Sequence, residues 1–367
     1  MLPNKLMNKW VITLLAAVLA LSVLSACGKK SDTGADQSAD QRADQRADQR
    51  ADQSADPNVV ATYKDNGTIT RAEFDAFVNV NKMFDPQLAS YITDPMVQQE
   101  ILKQLMVFKI MSARADEATK KEGDKQVADQ MTQMKDYLSK LEGGLDKQLA
   151  DNQVKLEDIE NLLKMNFYTM LSLENKVTDQ QVQETYNTNS AAHAYDFATV
   201  SHILISTKDA ATQADIRTLD QALVRANEVV TKLKSGGDFA ALAKEYSDDP
   251  GSKDKGGTYP DANVNQWVPE FKEATISLPL NTISEPPVKS DFGYHVMKVE
   301  SRTTKKLDEV KPQIKSEIAN KALMDFVTNE LPGMIETNKL PNPEDAAASP
   351  AASPAASVSP SASPAAK

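Results

Sequence analysis

The chain has 367 residues, a formal net charge of −11 at pH 7 and one cysteine. Its 41 Lys and Arg residues are scattered among 52 Asp and Glu. That excludes the clustered cationic face that nucleic-acid phosphates require. A single cysteine also excludes an intrachain disulfide, so stability has to come from burial.

At the N-terminus, Lys5 and Lys9 precede an apolar run from Trp10 to Leu24, broken by Thr13 and Ser22. A short positive region, an apolar stretch and small residues at a cleavage point describe an export signal over 1–26 rather than a fold element. The run is shorter than the roughly 20 residues of a spanning helix. Leu24-Ser25-Ala26-Cys27 resembles the lipobox of bacterial lipoproteins. The resemblance implies cleavage before Cys27 and diacylglyceryl attachment to its sulfur. The alternative is an ordinary secretory signal with an incidental cysteine. Each buried methylene of an acyl chain contributes about 0.8 kcal/mol, and two or more chains make release rare. The expected location is therefore the extracytoplasmic face of a cell membrane, or another exported leaflet. Removal of 1–26 takes away Lys5 and Lys9 and leaves −13.

Within the segment 27–56, residues 35–56 carry an Ala-Asp-Gln-Arg or Ala-Asp-Gln-Ser repeat of period four. Asp40, Asp44, Asp48 and Asp52 would stack on one helix face, and Arg42, Arg46 and Arg50 on another, so like charges meet and opposite charges do not. Nothing larger than alanine is available to bury. The segment reads as a solvated tether, on the order of 30 Å r.m.s. for a coil of that length. Residues 345–367 form an Ala/Ser/Pro tail of similar character.

Between tether and tail lie roughly 285 residues of ordinary globular composition, enough for two domains. The first, 57–194, opens with Val59–Tyr63, then Asn66-Gly67, then Thr68-Ile69-Thr70. Asn-Gly between β-type runs is a strong hairpin signal. Thr70-Arg71-Ala72-Glu73 is a capping box. Helices are expected near 71–84, 95–120, 122–142, 155–175 and 178–188; Ile101, Leu102, Leu105, Phe108 and Met111 make a 3.6-period stripe. Met106, Met131, Met134 and Met165 fall on these helices, either as adaptable core packing or as a cradle for non-native chains. Residues 303–344 hold one more long helix, Asp308 to about Asn329, and a short piece ending near Leu340. Some forty residues cannot bury a core alone. They are expected to pack on 57–194, which makes the helical domain discontinuous and 195–302 an insertion.

That insertion carries the chemistry. Phe197 to Ser206 reads as a strand, with His202 on the face of Leu204 and opposite Ile203 and Ile205. An amphipathic helix follows, with Leu219, Ala222, Leu223, Ala226, Val229, Val230 and Leu233 on one side. Gly236-Gly237 ends it, and Asp238 caps a second helix from Phe239 to Tyr246. A turn-rich loop, Ser247 to Ser252, leads to Gly256-Gly257. Pro269 starts a short helix after Trp267-Val268. Gly293 turns the chain into a last strand where His295, Met297 and Val299 share a face.

This order of motifs resembles the parvulin family of peptidyl-prolyl isomerases over about 108 residues. The separated motifs that carry it are Ser-His-Ile-Leu, Gly-Gly-Asp-Phe-Ala-Ala-Leu-Ala, Tyr-Ser-Asp-Asp-Pro-Gly-Ser, Val-Pro-Glu-Phe and Phe-Gly-Tyr-His-Val-Met-Lys-Val. With the lipobox and flanking helical halves, the whole chain resembles the foldase lipoproteins of Gram-positive bacteria. The resemblance implies an α+β fold: a four-stranded antiparallel sheet with surrounding helices, inserted in a discontinuous, mostly helical chaperone-like domain. It implies catalytic roles for His202, Asp249 and His295, and a proline cup from Tyr259, Trp267, Phe271 and Phe292. It implies no cofactor and no metal. The partners it implies are unfolded or newly exported polypeptides with Xaa-Pro bonds and, through Cys27, the membrane; a homodimer through the helical domain stays open. One departure stands out. The family continues Gly-Gly with Asp-Leu-Gly and an aromatic, whereas here the run is Gly256-Gly257-Thr258-Tyr259-Pro260-Asp261. Pro260 removes a backbone donor. This leaves a second function in view, a holdase whose isomerase domain is weak or silent.

Other chemistries have less support. Three scattered histidines and one cysteine do not make a zinc site. A Gly-x-Ser-x-Gly nucleophile motif and a Gly-rich phosphate loop are both missing from the sequence. The lipobox expectation has a direct check. Intact mass of detergent-extracted protein should show cleavage before Cys27 plus acyl mass, and an unmodified mature chain free in the medium would refute it.

Overall fold

The computed structural model describes residues 56–342. The export signal, Cys27 and the C-terminal tail expected from the sequence lie outside the described residues. Among the described residues no helix is long and apolar enough to cross a membrane. The chain forms two compact units, one ending at Lys176 and resuming at Ala319, the other Val177–Ile318.

The first unit begins with β1 (Val59–Tyr63) and β2 (Gly67–Thr70), paired antiparallel. The turn between them holds Asp65 and Asn66 at φ 68° and 59°, a left-handed conformation that Asn and Asp tolerate better than most residues. The expected capping box forms. Thr70 Oγ1 accepts from the Glu73 backbone N–H, and Glu73 accepts from the Thr70 N–H, which starts α1 (Arg71–Phe84). Where helices are expected near 95–120 and 122–142, the structure has α2 (Pro95–Ala113) and α3 (Glu117–Ser139), so the break between them falls earlier. The break follows from Asp116, whose carboxylate accepts from the Thr119 N–H as an N-cap; a stripe of apolar residues carries no trace of such a cap. A short α4 (Gly144–Asn152), which no periodicity announced, precedes α5 (Leu156–Glu174).

The core of this unit gathers Phe74, Phe77, Leu102, Met106, Phe108, Met134, Ile159 and Leu162. Met106, Met131 and Met134 are buried in it, while Met165 packs at its edge. The C-terminal return supplies Ala319, Leu323, Phe326, Leu331 and Leu340 to the same core. It also supplies a strand. β7 (Ile335–Asn338) pairs antiparallel with β1, giving the sheet order β2-β1-β7. The sequence marks only a short piece ending near Leu340 there, because four residues of strand are too short for a period-two signal.

The second unit opens with α6 (Asp179–Ala191) and β3 (Asp196–Ser206), continues through α7 (Leu219–Lys234), α8 (Phe239–Tyr246), β4 (Thr258–Asn263), α9 (Pro269–Ser277), β5 (Val288–Ser290) and β6 (Gly293–Thr304), and closes with the first part of α10 (Leu307–Asp325). The sequence divided the chain at 194/195 and 302/303, whereas the compact units divide at 176/177 and 318/319. The reason is a separate apolar cluster. Val182, Tyr195, Val310 and Ile314 are buried together, and Tyr186 stacks on Tyr195 with centroids 5.4 Å apart.

The four strands are antiparallel in the order β4-β3-β6-β5. Alternation along β3 sends Ile203 and Ile205 to one face, against Ala222, Ala226, Val229 and Val230 of α7 and Leu242 of α8. The other face collects Ala198, Val200, Met297 and Val299 against Phe271 and Ala274 of α9. Pro260 is accommodated on the edge strand β4. Val200 pairs with Tyr259 and Ala198 with Ala262, so Pro260 and Asp261 together oppose Thr199 in a bulge. An edge-strand bulge is where a residue without an N–H costs least.

Burial of Leu323, Phe326, Leu331 and Leu340 contributes about 1.5–3 kcal/mol each, together comparable with a whole domain's stability of about 5–15 kcal/mol. A chain ending at Ile318 should therefore lose the cooperative unfolding transition of the helical unit and keep that of Val177–Ile318. Scanning calorimetry separates the two. Melting indistinguishable from the full chain would mean that the returning segment is dispensable.

Candidate active site

The register of β3 and β6 builds the site. His202 pairs with Met297 and His295 with Leu204. The two histidines are thus diagonal neighbours on one face, near enough for ring contact. Their rings stack at 25° with centroids 5.4 Å apart, and Nδ1 meets Nδ1 at 3.2 Å. Both are 4% exposed. Phe271 from α9 presents an edge to each imidazole, with both centroid distances 5.2 Å. Trp267 lies 5.0 Å from Phe271.

At the far side of His202, Nε2 is 2.9 Å from Asp249 Oδ2 and 3.1 Å from Ser252 Oγ. Asp249 Oδ2 also accepts from the Ser252 hydroxyl and, at 2.8 Å, from the Tyr259 hydroxyl. Its Oδ1 accepts from the Gly251 N–H at 3.0 Å. Burial works to raise the Asp249 pKa, but the donors His202, Ser252, Gly251 and Tyr259 outweigh it and hold the carboxyl well below the ordinary range. Asp249 is therefore ionised and accepts only. At the far side of His295, Nε2 meets Ser290 Oγ at 2.8 Å, and Ser290 Oγ accepts from the Phe292 N–H.

In the form where His202 is uncharged, these contacts dictate the tautomers. With both rings neutral, His202 must donate from Nε2 to Asp249, so its Nδ1 accepts. His295 then donates from Nδ1, and its Nε2 accepts from the Ser290 hydroxyl. Every ring nitrogen is satisfied, as buried polar groups require. Burial first, and His202 second, push the His295 pKa down to about 3. Burial, and then Asp249, push the Tyr259 phenol up to about 12.

The structure brings His202, Asp249, His295, Tyr259, Trp267, Phe271 and Phe292 around one cleft of about 720 Å³. Phe292 stands 54% exposed at its rim, and Phe271 is its buried floor. Tyr259 is placed differently from a plain cup wall, since its hydroxyl is committed to Asp249. Cys27 lies outside the described residues. Ser252 and Ser290 were missed from the sequence. Ser252 lies three residues after Asp249 in a tight turn, and Ser290 faces Gly293 across the β5–β6 hairpin; serine in a polar loop gives no signal by itself. Asp248, which also lines the cleft, was missed too; its Oδ2 accepts from Arg217 Nη1, which donates to the Ser206 carbonyl as well.

A stacked pair of buried imidazoles under an aromatic cleft, on this sheet order, defines a parvulin-type fold unit. Residues 183–303 match the family model for the PPIC-type peptidyl-prolyl isomerase domain. The chain is 34% identical over 204 residues to foldase protein PrsA 4 of Bacillus cereus, a match covering 55% of this chain and 63% of that relative. It is 30% identical over 244 residues to foldase protein PrsA of Caldanaerobacter subterraneus, covering 66% of this chain and 70% of that relative. A crystal structure of peptidylprolyl isomerase (PrsA) from Bacillus cereus shares 27% identity and covers 76% of this chain and 92% of that one, with a TM-score of 0.38. The match spans just under two thirds of the first relative's length. The chain belongs to the PrsA foldase family.

The buried neutral state of His295 makes stability pH-dependent. Its folded pKa of about 3 lies below the ordinary 6.5, so between those values the unfolded chain binds a proton that the folded chain refuses. Stability is full above about pH 6.5 and falls as pH drops toward 3. By pH 5 the loss is on the order of 2 kcal/mol. Asp249, with its lowered pKa, adds a further loss as pH falls below the ordinary carboxyl range. Tm of the wild type should drop between pH 8 and 5 more steeply than that of His295→Ala. Parallel curves would show that His295 is not held neutral.

Proposed function

We propose that the second unit catalyses cis/trans isomerisation of Xaa-Pro bonds in exported polypeptides, and that the chain works as a foldase tethered through Cys27 outside the cytoplasmic membrane. The observation that carries this reading is the cleft itself, where Phe271 stands edge to face with two buried, hydrogen-bonded imidazoles.

The barrier to be lowered, about 18–20 kcal/mol, is the resonance of the planar amide. Uncatalysed exchange at Xaa-Pro takes tens to hundreds of seconds. No bond is broken, so the reaction needs no nucleophile or cofactor. It needs better binding of the twisted amide than of the planar one. Twisting leaves the carbonyl less polarised and the nitrogen more basic. An uncharged floor gives little stabilisation to the polarised planar form. Phe271 and Trp267 hold the proline ring, and the His202–His295 pair supplies a rigid surface beneath it. His295, with its pKa near 3, stays uncharged at any physiological pH.

A second reading, a holdase whose isomerase unit is weak, draws on the helical unit. A groove of about 770 Å³ there is lined by Phe77, Leu162, Met165 and Tyr168 among Lys109, Glu157 and Asp158. Amphipathic lining of that kind suits unfolded clients of mixed composition. Newly exported chains, the membrane through Cys27 and a homodimer through the helical unit are the partners proposed.

The test is kcat/KM on a Xaa-Pro peptide, with circular dichroism as a folding control. Phe271→Ala should raise KM at least several-fold by emptying the floor. His202→Ala or His295→Ala should lower kcat and cost about 1–3 kcal/mol of stability, because the surviving imidazole loses its partner. Isomerisation no faster than the thermal rate in the wild type, with client aggregation still suppressed, would leave the holdase reading in place.

A further inference from the structure

We propose that Tyr259 is a positioning residue: its hydroxyl, acting through Asp249, holds His202 in the orientation that the isomerase reaction uses. The inference rests on the isomerase reading and concerns the one place where this sequence leaves the family pattern.

Three observations support it. First, the Tyr259 hydroxyl is not turned toward the cleft as a free polar group but donates to Asp249 Oδ2 at 2.8 Å. Its ring is tilted against His202 with centroids 5.6 Å apart. Tyr259 thus touches both members of the Asp249–His202 pair. Second, Asp249 Oδ2 takes three donors, from His202, Ser252 and Tyr259. With Oδ1 held by the Gly251 N–H, the carboxylate has no freedom to swing toward a substrate carbonyl. Its work is to receive the His202 Nε2 proton and so fix which nitrogen faces His295. The phenol stays a donor at every working pH, since its pKa is pushed up to about 12.

Third, the turn has been shaped around the hydroxyl. A Cβ built on Gly251 would lie 2.4 Å from Tyr259 Oη and 3.3 Å from Asp249 Oδ1. The Gly251 backbone is not in the left-handed region, so conformation does not demand glycine there. Space for the hydroxyl does. β4 begins at Thr258 after Gly257, whose own Cβ would lie 2.4 Å from the His202 carbonyl oxygen, and this close approach delivers Tyr259 to its position. A leucine at 259 would fill part of the ring's volume and give Asp249 nothing.

The test uses the full chain and three variants. Tyr259→Phe keeps the ring and removes the donor. It should lower kcat on the order of tenfold, as misplacement of a catalytic group does, with KM nearly unchanged. Gly251→Ala leaves Tyr259 intact but displaces its hydroxyl, and should give the same phenotype. The double variant should be no worse than either single one, because without the hydroxyl the added methyl has less to strike. Nitrogen-15 shifts of the His202 ring report the Nε2–H tautomer and should move in both single variants. A rise in KM alone, or unchanged kcat and unchanged His202 shifts in Tyr259→Phe, overturns the proposal. Strictly additive losses in the double variant overturn it too. If Tyr259→Phe fails to fold, Gly251→Ala decides by the same readouts. If the wild type shows no catalysis, the isomerase reading falls by itself, and the His202 shifts still decide whether Tyr259 orients the ring.

Discussion

Two imidazoles meeting nitrogen to nitrogen in the middle of a sheet constrain most of what surrounds them. A buried ring nitrogen without a partner costs about 1–3 kcal/mol, and each ring has two. The Nδ1–Nδ1 contact at 3.2 Å satisfies one from each side only if one ring donates and the other accepts. The outer nitrogens then have opposite needs. Ser290 meets the need of His295, and Asp249 meets that of His202. The directional chain from Ser290 to Asp249 therefore follows from burying two histidines together.

That chain also explains the architecture. The rings reach each other because β3 and β6 pair over eleven residues, which sets His202 and His295 one diagonal apart. Helices α7 and α8 cover the opposite face through Ile203 and Ile205, so only one face is left for chemistry. The Ser247–Ser252 loop is held against β3 by backbone and side-chain bonds, among them Asp248 N–H to the Leu204 carbonyl at 2.8 Å and Leu204 N–H to Ser247 Oγ at 3.2 Å. This is what brings Asp249 under His202. A network with all its members satisfied is rigid. A rigid floor suits the proposed reaction, whose difficulty is conformational rather than covalent.

Much of this was legible in the sequence. The strand around His202 and the strand around His295 announced themselves by β-type residues and alternation. Asp238, Thr70 and Pro269 marked helix starts by local chemistry. The motif order implied the sheet and the seven residues that now surround the cleft. Less legible were features set by partners distant in sequence. Asp116 caps α3 inside the span expected for the helix before it. β7 became a strand because the β1 edge was there to receive it. The unit boundaries moved because Val182, Tyr195, Val310 and Ile314 share a cluster.

The sequence by itself determined most of the strands and helices and which residue types gather at the cleft. Those depend on periodicity, capping and composition, which act within a few residues of chain. Tertiary structure alone decided that Tyr259 hydrogen-bonds Asp249 rather than simply walling the cleft, and that Pro260 sits harmlessly in an edge bulge. It also decided that Ser290 completes the histidine pair. Each is a question of what fills the space and satisfies the polar atoms beside a buried group, and that is settled only when β3, β4 and β6 are side by side.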